Sequence, residues 1–301
     1  MMPSLRLGSR GKLVRELQTL LAVEPDGILG PVTLAAARSR LGRKVDVLDL
    51  ADLRACGVDV RLCIDLSGHN EGGTKKLVDF ARVKVAGVRT CWLKLTEGTS
   101  YVNREALRQA SAAEVYGLDW GGYHFADPSL DRTSYDVVAL EADARAEAEH
   151  YLRQRAAAVE AACARPSAPD ILDLERGVSA RIRGKLLALT GWTSARRHEA
   201  TALWALAWLT VVEQATGRKP WIYLPLWAFD AYFRKAPPAL LSALRSYRNM
   251  VASYNAGAEP ARIPPGWEDW GAWQYTGHGR IDGVDGDVDL SVALGRDLKG
   301  P

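Results

Sequence analysis

The stretch APDILDLERG, residues 168–177, decides both the fold and the site that the sequence predicts. Its apolar residues suit a buried strand, yet Asp173 and Glu175 lie within it, two positions apart. Because side chains alternate along a strand, the two carboxylates share one face, and Leu172 and Leu174 share the other. We expect the leucines to pack against surrounding helices, so the two acids would point into an enclosed interior.

Seven further short apolar runs occur along the chain, and Ala-rich helical stretches near 136–164 and 194–216 separate some of them. Apolar strands separated by helices indicate a mainly parallel sheet. Eight runs in about 240 residues favour a closed barrel over an open sheet. The predicted fold class is therefore α/β, an irregular TIM-like barrel of eight strands whose last part departs from regular strand–helix alternation. The runs are VRLCIDL (60–66), VRTCWLKL (88–95), LDWGGYHF (118–125), DILDLE (170–175), WIYLPL (221–226), MVASYN (250–255), WGAWQY (270–275) and DVDLSV (287–292).

The first 56 residues differ from the rest of the chain. LVRELQTLL places leucines on one helical stripe, and Pro31 fits the first position of a second helix that runs to about Leu41. A third short helix is expected over 49–56. Three short helices form a small bundle with a thin core, which favours binding over catalysis. We therefore predict two domains, 1–56 and 57–301.

Composition and charge limit the class of protein. The net charge is only +3, and no Lys/Arg block is interleaved with aromatic residues, so a dedicated nucleic-acid binder is not expected. None of the four cysteines forms a CxxC or pairs with histidine at zinc-ligand spacing, so we expect no metal and no cofactor. The segment MMPSLRLGSRG lacks the apolar core of a signal peptide, and the most apolar stretch, 202–212, is too short to span a membrane.

Polar side chains gather at the ends of several apolar runs, as they do at 173 and 175. A solvated strand end explains any single case, but five cases in register indicate one site at the carboxyl mouth of the barrel. Clustered acids push their pKa values apart, so one stays protonated while another is charged. Most glycosidases use two such carboxylates as the catalytic groups that break the glycosidic bond. The polar positions are Asp65; Lys94, Thr96 and Glu97; Tyr123 and His124; Trp273, Gln274 and Tyr275; and Asp287 and Asp289.

Aromatic residues suit a sugar groove, because their faces stack on sugar rings. Trp204 and Trp208, spaced i, i+4 on a helix, are interpreted as core instead. Trp273 and Tyr123 lie beside the acids and fit a groove at least as well as a core. The candidate substrate-binding residues are Tyr123, His124, Lys94, Glu97, Tyr223, Tyr254, Trp273 and Gln274.

Six segments in order, IDLSGHN, LKLTEGTSYVN, GLDWGGYHF, ILDLE, TGRKPWIY and WQYTGHGRIDGVDGDVDL, resemble glycoside hydrolase family 25. These are Chalaropsis-type lysozymes, common as phage endolysins. The resemblance implies a barrel with fewer helices than strands. It also implies N-acetylmuramidase activity on the β-1,4 bond between N-acetylmuramic acid and N-acetylglucosamine. It matches Glu175 to the general acid, Asp173 to its partner carboxylate, and Asp65 and Asp289 to acids on the first and last strands.

Two assignments at this site stay open in the sequence. Asp287 is an alternative to Asp289, because it lies on the same face two residues earlier. The mechanism is also open, since Asp173 and Glu175 have Cα atoms about 6.5 Å apart on one strand and need not flank a sugar from opposite faces. In a substrate-assisted route the 2-acetamido oxygen attacks the anomeric carbon, and in the rival route an aspartate activates a water molecule.

The N-terminal segment resembles the three-helix peptidoglycan-binding domain through its LQ, DG, Gly30-Pro31 and Thr33. Together the two resemblances imply a monomeric endolysin whose partner is bacterial peptidoglycan. It would wait in the host cytoplasm until a holin pore releases it to the cell wall or periplasm. Two alternatives remain. One is a protein that binds wall sugars without cleaving them, although such a protein would be expected to have lost the acids, which are present here. The other is a hydrolase of a chitin-like polymer.

Overall fold

A closed barrel of eight strands forms the larger part of the protein, in a computed structural model of the chain. The structure describes residues 2–71, 75–131, 135–182, 185–187, 189, 191–255, 259–260 and 262–299.

All eight predicted strands are present, which confirms the fold class. Each begins and ends within four residues of the predicted run, because short apolar runs between turns mark strands well. They are β1 (Val60–Leu66), β2 (Val88–Glu97), β3 (Asp119–Phe125), β4 (Ile171–Asp173), β5 (Trp221–Tyr223), β6 (Asn249–Ala252), β7 (Ala272–Gly279) and β8 (Val288–Leu294).

The strands follow one another around the barrel in chain order. β1 to β7 all run parallel to one another. β8 lies between β7 and β1, runs antiparallel to both and closes the barrel. The beginning of β8, rather than its end, therefore lies at the mouth where β1 to β7 end. In this register Asp289 of β8 lies directly opposite Asp65 of β1.

Helices cover the outside of the barrel, and the two long ones match the predicted Ala-rich stretches. The longest described helix begins after Asp136, whose side chain accepts a hydrogen bond from the Ala139 amide. The next begins after Thr193 and ends at Gly217, which has a positive φ of 70°. The described helices are α1 (Lys12–Leu20), α2 (Pro31–Leu41), α3 (Leu50–Ala55), α4 (Phe80–Val85), α5 (Ala106–Val115), α6 (Val137–Ala162), α7 (Ser194–Thr216), α8 (Leu226–Tyr232), α9 (Pro238–Leu244) and α10 (Gly295–Leu298).

Trp204 and Trp208 on α7 are fully buried, which confirms their interpretation as core residues. No helix in the described part of the chain is long and apolar enough to cross a lipid bilayer. Short strands outside the barrel are Leu5–Arg6 with Val47–Leu48, Tyr101–Val102 beside β2, and Ser129–Leu130, Ser179–Ile182 and Lys185–Leu187 in a small separate sheet.

Helices α1 to α3 lie before the barrel in the chain and pack against it, and we call these three helices the bundle. Leu13 and Leu17 of α1 are fully buried, whereas Leu20 is 44% exposed, so the apolar stripe is narrower than the sequence indicates. The buried apolar residues of the bundle are continuous with those around β1. The boundary at residue 56 stays a prediction.

A buried lysine fixes the bundle to the barrel. Lys12 Nζ lies 2.7 Å from Asp297 and 3.3 Å from Asp269, and 4.9 Å from the centre of the Trp270 ring. Glu259 accepts a hydrogen bond of 2.6 Å from the Leu13 amide and one of 2.7 Å from the Trp270 indole. Trp270 precedes β7 and Asp297 follows β8, so the bundle contacts the amino-terminal end of the barrel, opposite the mouth.

Lys12→Met is expected to lower the free energy of unfolding by about 3 kcal/mol, because it leaves the buried Asp297 carboxylate without its main partner. Arg248 keeps a contact of 3.1 Å with Asp297, which places the loss at the low end for broken buried pairs. Chemical denaturation of the full chain measures the change. The control is Arg296→Gln, whose exposed pair with Glu16 should contribute less than about 1 kcal/mol. Equal losses in the two variants would contradict the role of Lys12.

Candidate active site

All four predicted acids line one cavity of about 420 Å³ at the mouth of the barrel. Period-two alternation brings them there: Asp173 points inward from β4, and Glu175 follows two residues beyond it. Asp65 near the end of β1 and Asp289 near the beginning of β8 complete the group. The other lining residues are Ser67, His69, Trp92, Lys94, Glu97, Tyr123, Phe125, Ile171, Tyr223, Met250, Tyr254 and Gln274.

Burial and mutual repulsion raise the pKa values of this carboxylate cluster. Burial, and then the Glu175 charge, raise the pKa of Asp173 well above its ordinary value. Burial also raises the pKa of Glu175. Burial with the neighbouring Asp289 raises the pKa of Asp65, and burial with Glu175 raises the pKa of Asp289 to about 6. The cluster therefore retains a proton near neutral pH, as general acid catalysis requires.

A hydrogen-bonded amide holds one of these acids in place. Gln274 Nε2 donates to Asp65 Oδ2 at 2.9 Å. Its Oε1 accepts from the Tyr223 hydroxyl at 3.1 Å and from the Tyr254 hydroxyl at 2.7 Å. These contacts fix the orientation of the amide, and they bring three predicted substrate-binding residues to the cavity wall.

Two carboxylate oxygens in the cavity have no partner. Asp173 Oδ1 and Asp65 Oδ1 are buried without a hydrogen bond in the described part of the chain. Buried polar atoms in proteins are nearly always hydrogen-bonded, so each such atom needs an explanation. Because Asp65 and Asp173 line an open cavity, these oxygens are available to an N–H or O–H donor of a ligand.

The cationic wall of the cavity is built around Lys94. Its ammonium lies 2.7 Å from Glu97 Oε2 and 4.7 Å from the centre of the Phe125 ring. Lys94 opposes the rise in the pKa values of both Asp173 and Glu175, because its positive charge favours the ionised acids. Lys94 and Glu97 thus lie where the sequence predicts them.

His124 does not reach the cavity, so the expectation that it contacts the substrate is corrected. It follows Tyr123 on β3, and alternation turns it outward while Tyr123 points in. His124 is fully buried between the barrel and its helices, where Nε2 lies 2.7 Å from Glu147 and Nδ1 lies 2.8 Å from Thr96. Burial lowers the pKa of His124 to about 3, so the ring is neutral.

Trp273 is likewise a core residue rather than part of a groove. It is fully buried, and its indole donates to the Ser253 carbonyl at 2.9 Å. On β7 the neighbouring Gln274 points inward, so the tryptophan faces the helices. Both corrections arise because polar and aromatic residues occupy adjacent positions, and the sequence does not show which of the two faces inward.

The structure places Asp289, and not Asp287, in the cavity. Asp287 is exposed and pairs with Arg280 at 2.9 Å and His278 at 3.1 Å. The absence of a side chain at Gly277 leaves room for Asp289, because a Cβ at position 277 would lie only 3.2 Å from Asp289 Oδ1.

Several residues of the cavity were not predicted. Trp92 and Met250 form its apolar floor, Phe125 lies beside Lys94, and Ser67 and His69 follow β1. The period-two pattern carried a signal for most of them: Trp92 precedes Lys94 by two residues, and Phe125 follows Tyr123 by two.

Enzymes with an α/β barrel carry their active sites at the mouth, and glycosidases use a pair of carboxylates. The barrel and its four carboxylates are therefore typical of a barrel glycosidase. The family model described as "Glycosyl hydrolases family 25" matches residues 64–284. The chain therefore belongs to glycosyl hydrolases family 25.

Known proteins resemble the chain at moderate identity. It is 26% identical over 217 residues to "Uncharacterized protein YegX" of Escherichia coli strain K12, covering 71% of this chain and 63% of that protein. The chain thus spans less than two thirds of the length of this relative. It is 26% identical over 232 residues to the "N,O-diacetylmuramidase" of Chalaropsis sp, covering 74% of this chain and 96% of that one. The solved family GH25 lysozyme of Aspergillus fumigatus has the same fold, with a TM-score of 0.55 at 20% identity over 80% of this chain and 97% of that one.

Proposed function

We propose that the protein is a peptidoglycan hydrolase, an N-acetylmuramidase that cleaves the β-1,4 bond between N-acetylmuramic acid and N-acetylglucosamine. The observation that carries the proposal is the buried carboxylate cluster, in which Asp173 keeps one unpartnered oxygen. Family membership and the similarity to a protein named N,O-diacetylmuramidase support the choice of bond.

In the proposed mechanism Glu175 is the general acid and protonates the leaving glycosidic oxygen. Its raised pKa keeps the proton available near neutral pH, and its position at the open side of the cluster suits contact with the scissile bond. The same group then serves as base when water completes the hydrolysis, by microscopic reversibility.

Asp173 is proposed to assist the sugar itself. Its free Oδ1 accepts the N–H of the 2-acetamido group, so that the acetamido oxygen is turned toward the anomeric carbon and attacks it. The attack forms a bond from this oxygen to the anomeric carbon as the bond to the leaving oxygen breaks. Asp65 and Asp289 stabilise the positive charge that develops on the ring.

Candidate sugar contacts surround the cluster. Tyr123 presents aromatic surface at the cavity wall above the buried Trp92, and Tyr254 is 61% exposed at its rim. Tyr223 lies below, where its hydroxyl is held by Gln274 at 3.1 Å. We assign these residues to binding of the sugar that is cleaved.

The N-terminal bundle is proposed to bind the wall, as its resemblance to peptidoglycan-binding domains suggests. With the catalytic barrel it would form a modular, monomeric endolysin that a holin releases from the host cytoplasm. The bundle contacts the end of the barrel opposite the mouth, so wall binding there leaves the cavity open.

Mass spectrometry of digested peptidoglycan tests the proposed bond. Fragments that end in reducing muramic acid are expected from the full chain. Reducing glucosamine ends would contradict the muramidase assignment, and released peptides would indicate cleavage outside the glycan. No cleavage, with retained wall binding, would favour a sugar-binding protein, and cleavage of chitin alone would favour a chitin-like substrate. An inactive Glu175→Gln preparation is the control for contaminating enzymes.

A further inference from the structure

A second cavity, of about 470 Å³, lies at the amino-terminal end of the barrel. It opens where α3 of the bundle, the end of α4 and the starts of β1, β2 and β3 come together. We call it the basal cavity. Four cationic and two acidic side chains line it: Arg54, Arg61, Lys84, Arg89, Asp59 and Asp119.

Both acids of the basal cavity are already engaged. Arg61 pairs with Asp59 at 3.1 Å and also with Asp119. The other three cations form no ion pair within the described residues. The cavity therefore carries an excess of positive charge that no acidic side chain among the described residues neutralises.

Carbonyl oxygens hold these three cations without using all their donors. Arg54 Nε donates to the Val60 carbonyl at 2.8 Å. Arg89 Nη1 donates to the Val88 carbonyl at 3.0 Å, and Lys84 donates to the Gly117 carbonyl. The carbonyls at these helix and strand ends position the cations, but they are neutral groups and leave most N–H donors free.

One of the free donors is buried. Nη2 of Arg54 is inaccessible and has no hydrogen-bond partner in the described part of the chain. A buried guanidinium donor without an acceptor costs free energy, so an acceptor is expected there. Arg54 belongs to α3, whereas Lys84 and Arg89 belong to the barrel, so the basal cavity joins the bundle and the barrel.

The cations also destabilise one another. Burial, and then the nearby Arg89, lower the pKa of Arg54, and the same two causes lower the pKa of Lys84. A negative charge between these groups would offset the repulsion and raise the pKa values of Arg54 and Lys84.

We propose that the basal cavity binds a phosphate group, either as inorganic phosphate or as the phosphodiester of an anionic wall polymer. Two guanidinium groups and one ammonium group from three different elements converge on it, and planar guanidinium forks suit the oxygens of phosphate. β1 is seven residues long, so the basal cavity lies about 20 Å from the mouth and a ligand there leaves the acids accessible.

Titration calorimetry with inorganic phosphate tests the site on the full chain at constant ionic strength. Wild type is expected to bind, and the double variant Arg54→Gln/Arg89→Gln to bind at least about tenfold more weakly. The control is Arg6→Gln/Arg153→Gln, which removes the same charge from two exposed positions and should bind as wild type does. Phosphate should also raise the melting temperature of wild type and not that of the Arg54/Arg89 variant.

Sedimentation with cell walls distinguishes the two sources of phosphate. It uses Glu175→Gln to keep the walls intact, and compares untreated walls with walls whose phosphodiester polymers hydrofluoric acid has removed. If stripping the walls weakens binding, and adding Arg54→Gln/Arg89→Gln to Glu175→Gln also weakens it, the ligand of the basal cavity is the wall polymer. If phosphate binds in calorimetry but stripping has no effect, the ligand is the free ion. No calorimetric binding and no effect of stripping would overturn the proposal. Cleavage of soluble glycan by the Arg54/Arg89 variant should stay at the wild-type rate, which separates this test from that of the proposed activity.

Discussion

Replacing Glu175 with glutamine is expected to lower kcat on purified peptidoglycan by about 10²- to 10⁴-fold, the usual contribution of a general acid. Glutamine keeps the shape of the side chain but has no proton to donate to the leaving oxygen. KM should change little, because the glutamine amide still fills the same place at the cavity wall. Folding should be unaffected, since the substitution removes a charge from a crowded carboxylate cluster.

Release of reducing ends from purified walls measures this loss, with circular dichroism to verify folding. Asp287→Asn is the matched control, because Asp287 is exposed, pairs with Arg280 and His278, and lies outside the cavity. Its activity should stay within about twofold of wild type. Activity of Glu175→Gln within about tenfold of wild type would refute the assignment of the general acid.

The pH profile gives an independent measure of the same proton. Burial raises the pKa of Glu175, so its protonated, active form persists to higher pH than for an exposed glutamate. Activity of wild type should therefore fall as pH rises through this raised pKa. The cluster titrates as a unit, so the observed midpoint belongs to the group of acids and not to one residue. Asp289, with its pKa raised to about 6, contributes to the same range.

Asp173→Asn is expected to lower kcat by about 10²- to 10³-fold, the range for removing one preorganised electrostatic contact to a transition state. The asparagine can still hydrogen-bond the acetamido N–H through its carbonyl. It cannot take the negative charge that stabilises the positive ring when the shared proton of the cluster lies on Glu175. The same variant should be more stable than wild type above neutral pH. Burial and Glu175 raise the pKa of Asp173, so the folded protein binds more protons than the unfolded chain and loses stability as pH rises.

Two measurements check the role of Asp173. Denaturation at pH 5 and pH 8 should show a smaller loss of stability with rising pH in Asp173→Asn than in wild type, while Asp287→Asn should behave as wild type. Proton NMR of the first product of wild type should show a retained anomer, as assistance by the acetamido group requires. An inverted anomer would instead indicate direct attack by water, with Asp173 or another aspartate as its base.

The local pattern was sufficient for much of the fold and of the candidate site. Strand periodicity placed Asp173 and Glu175 on one face, because alternation along a strand depends only on neighbouring residues. The position of Asp65 at the end of its apolar run placed it at the mouth of the barrel. Caps and turns marked α2, where Pro31 begins the helix as predicted. The roles of these acids in catalysis stay predictions until the variants are measured.

The same pattern failed where either of two adjacent residues could be the one that faces the cavity. His124 and Trp273 each sit next to a residue that points inward, and both are buried behind the barrel wall. Periodicity fixes which residues share a face but not which face is inside, and that choice is made by packing against helices distant in sequence. For Asp173 the neighbouring leucines, Leu172 and Leu174, resolved the choice. On β3 and β7 apolar residues occupy both faces, so the sequence did not resolve it.

The sequence alone therefore determined the eight strands, the α/β class and the shared face of Asp173 and Glu175, since each follows from residues a few positions apart. Only the tertiary structure decided that Asp289 rather than Asp287 joins them, because this depends on the register of β8 against β1. It alone also placed the bundle at the far end of the barrel through Lys12, and brought Arg54 beside Arg89 in the basal cavity. The residues of each of these contacts are distant in sequence. They come together only because the barrel closes and because the bundle and the barrel bury a shared apolar core.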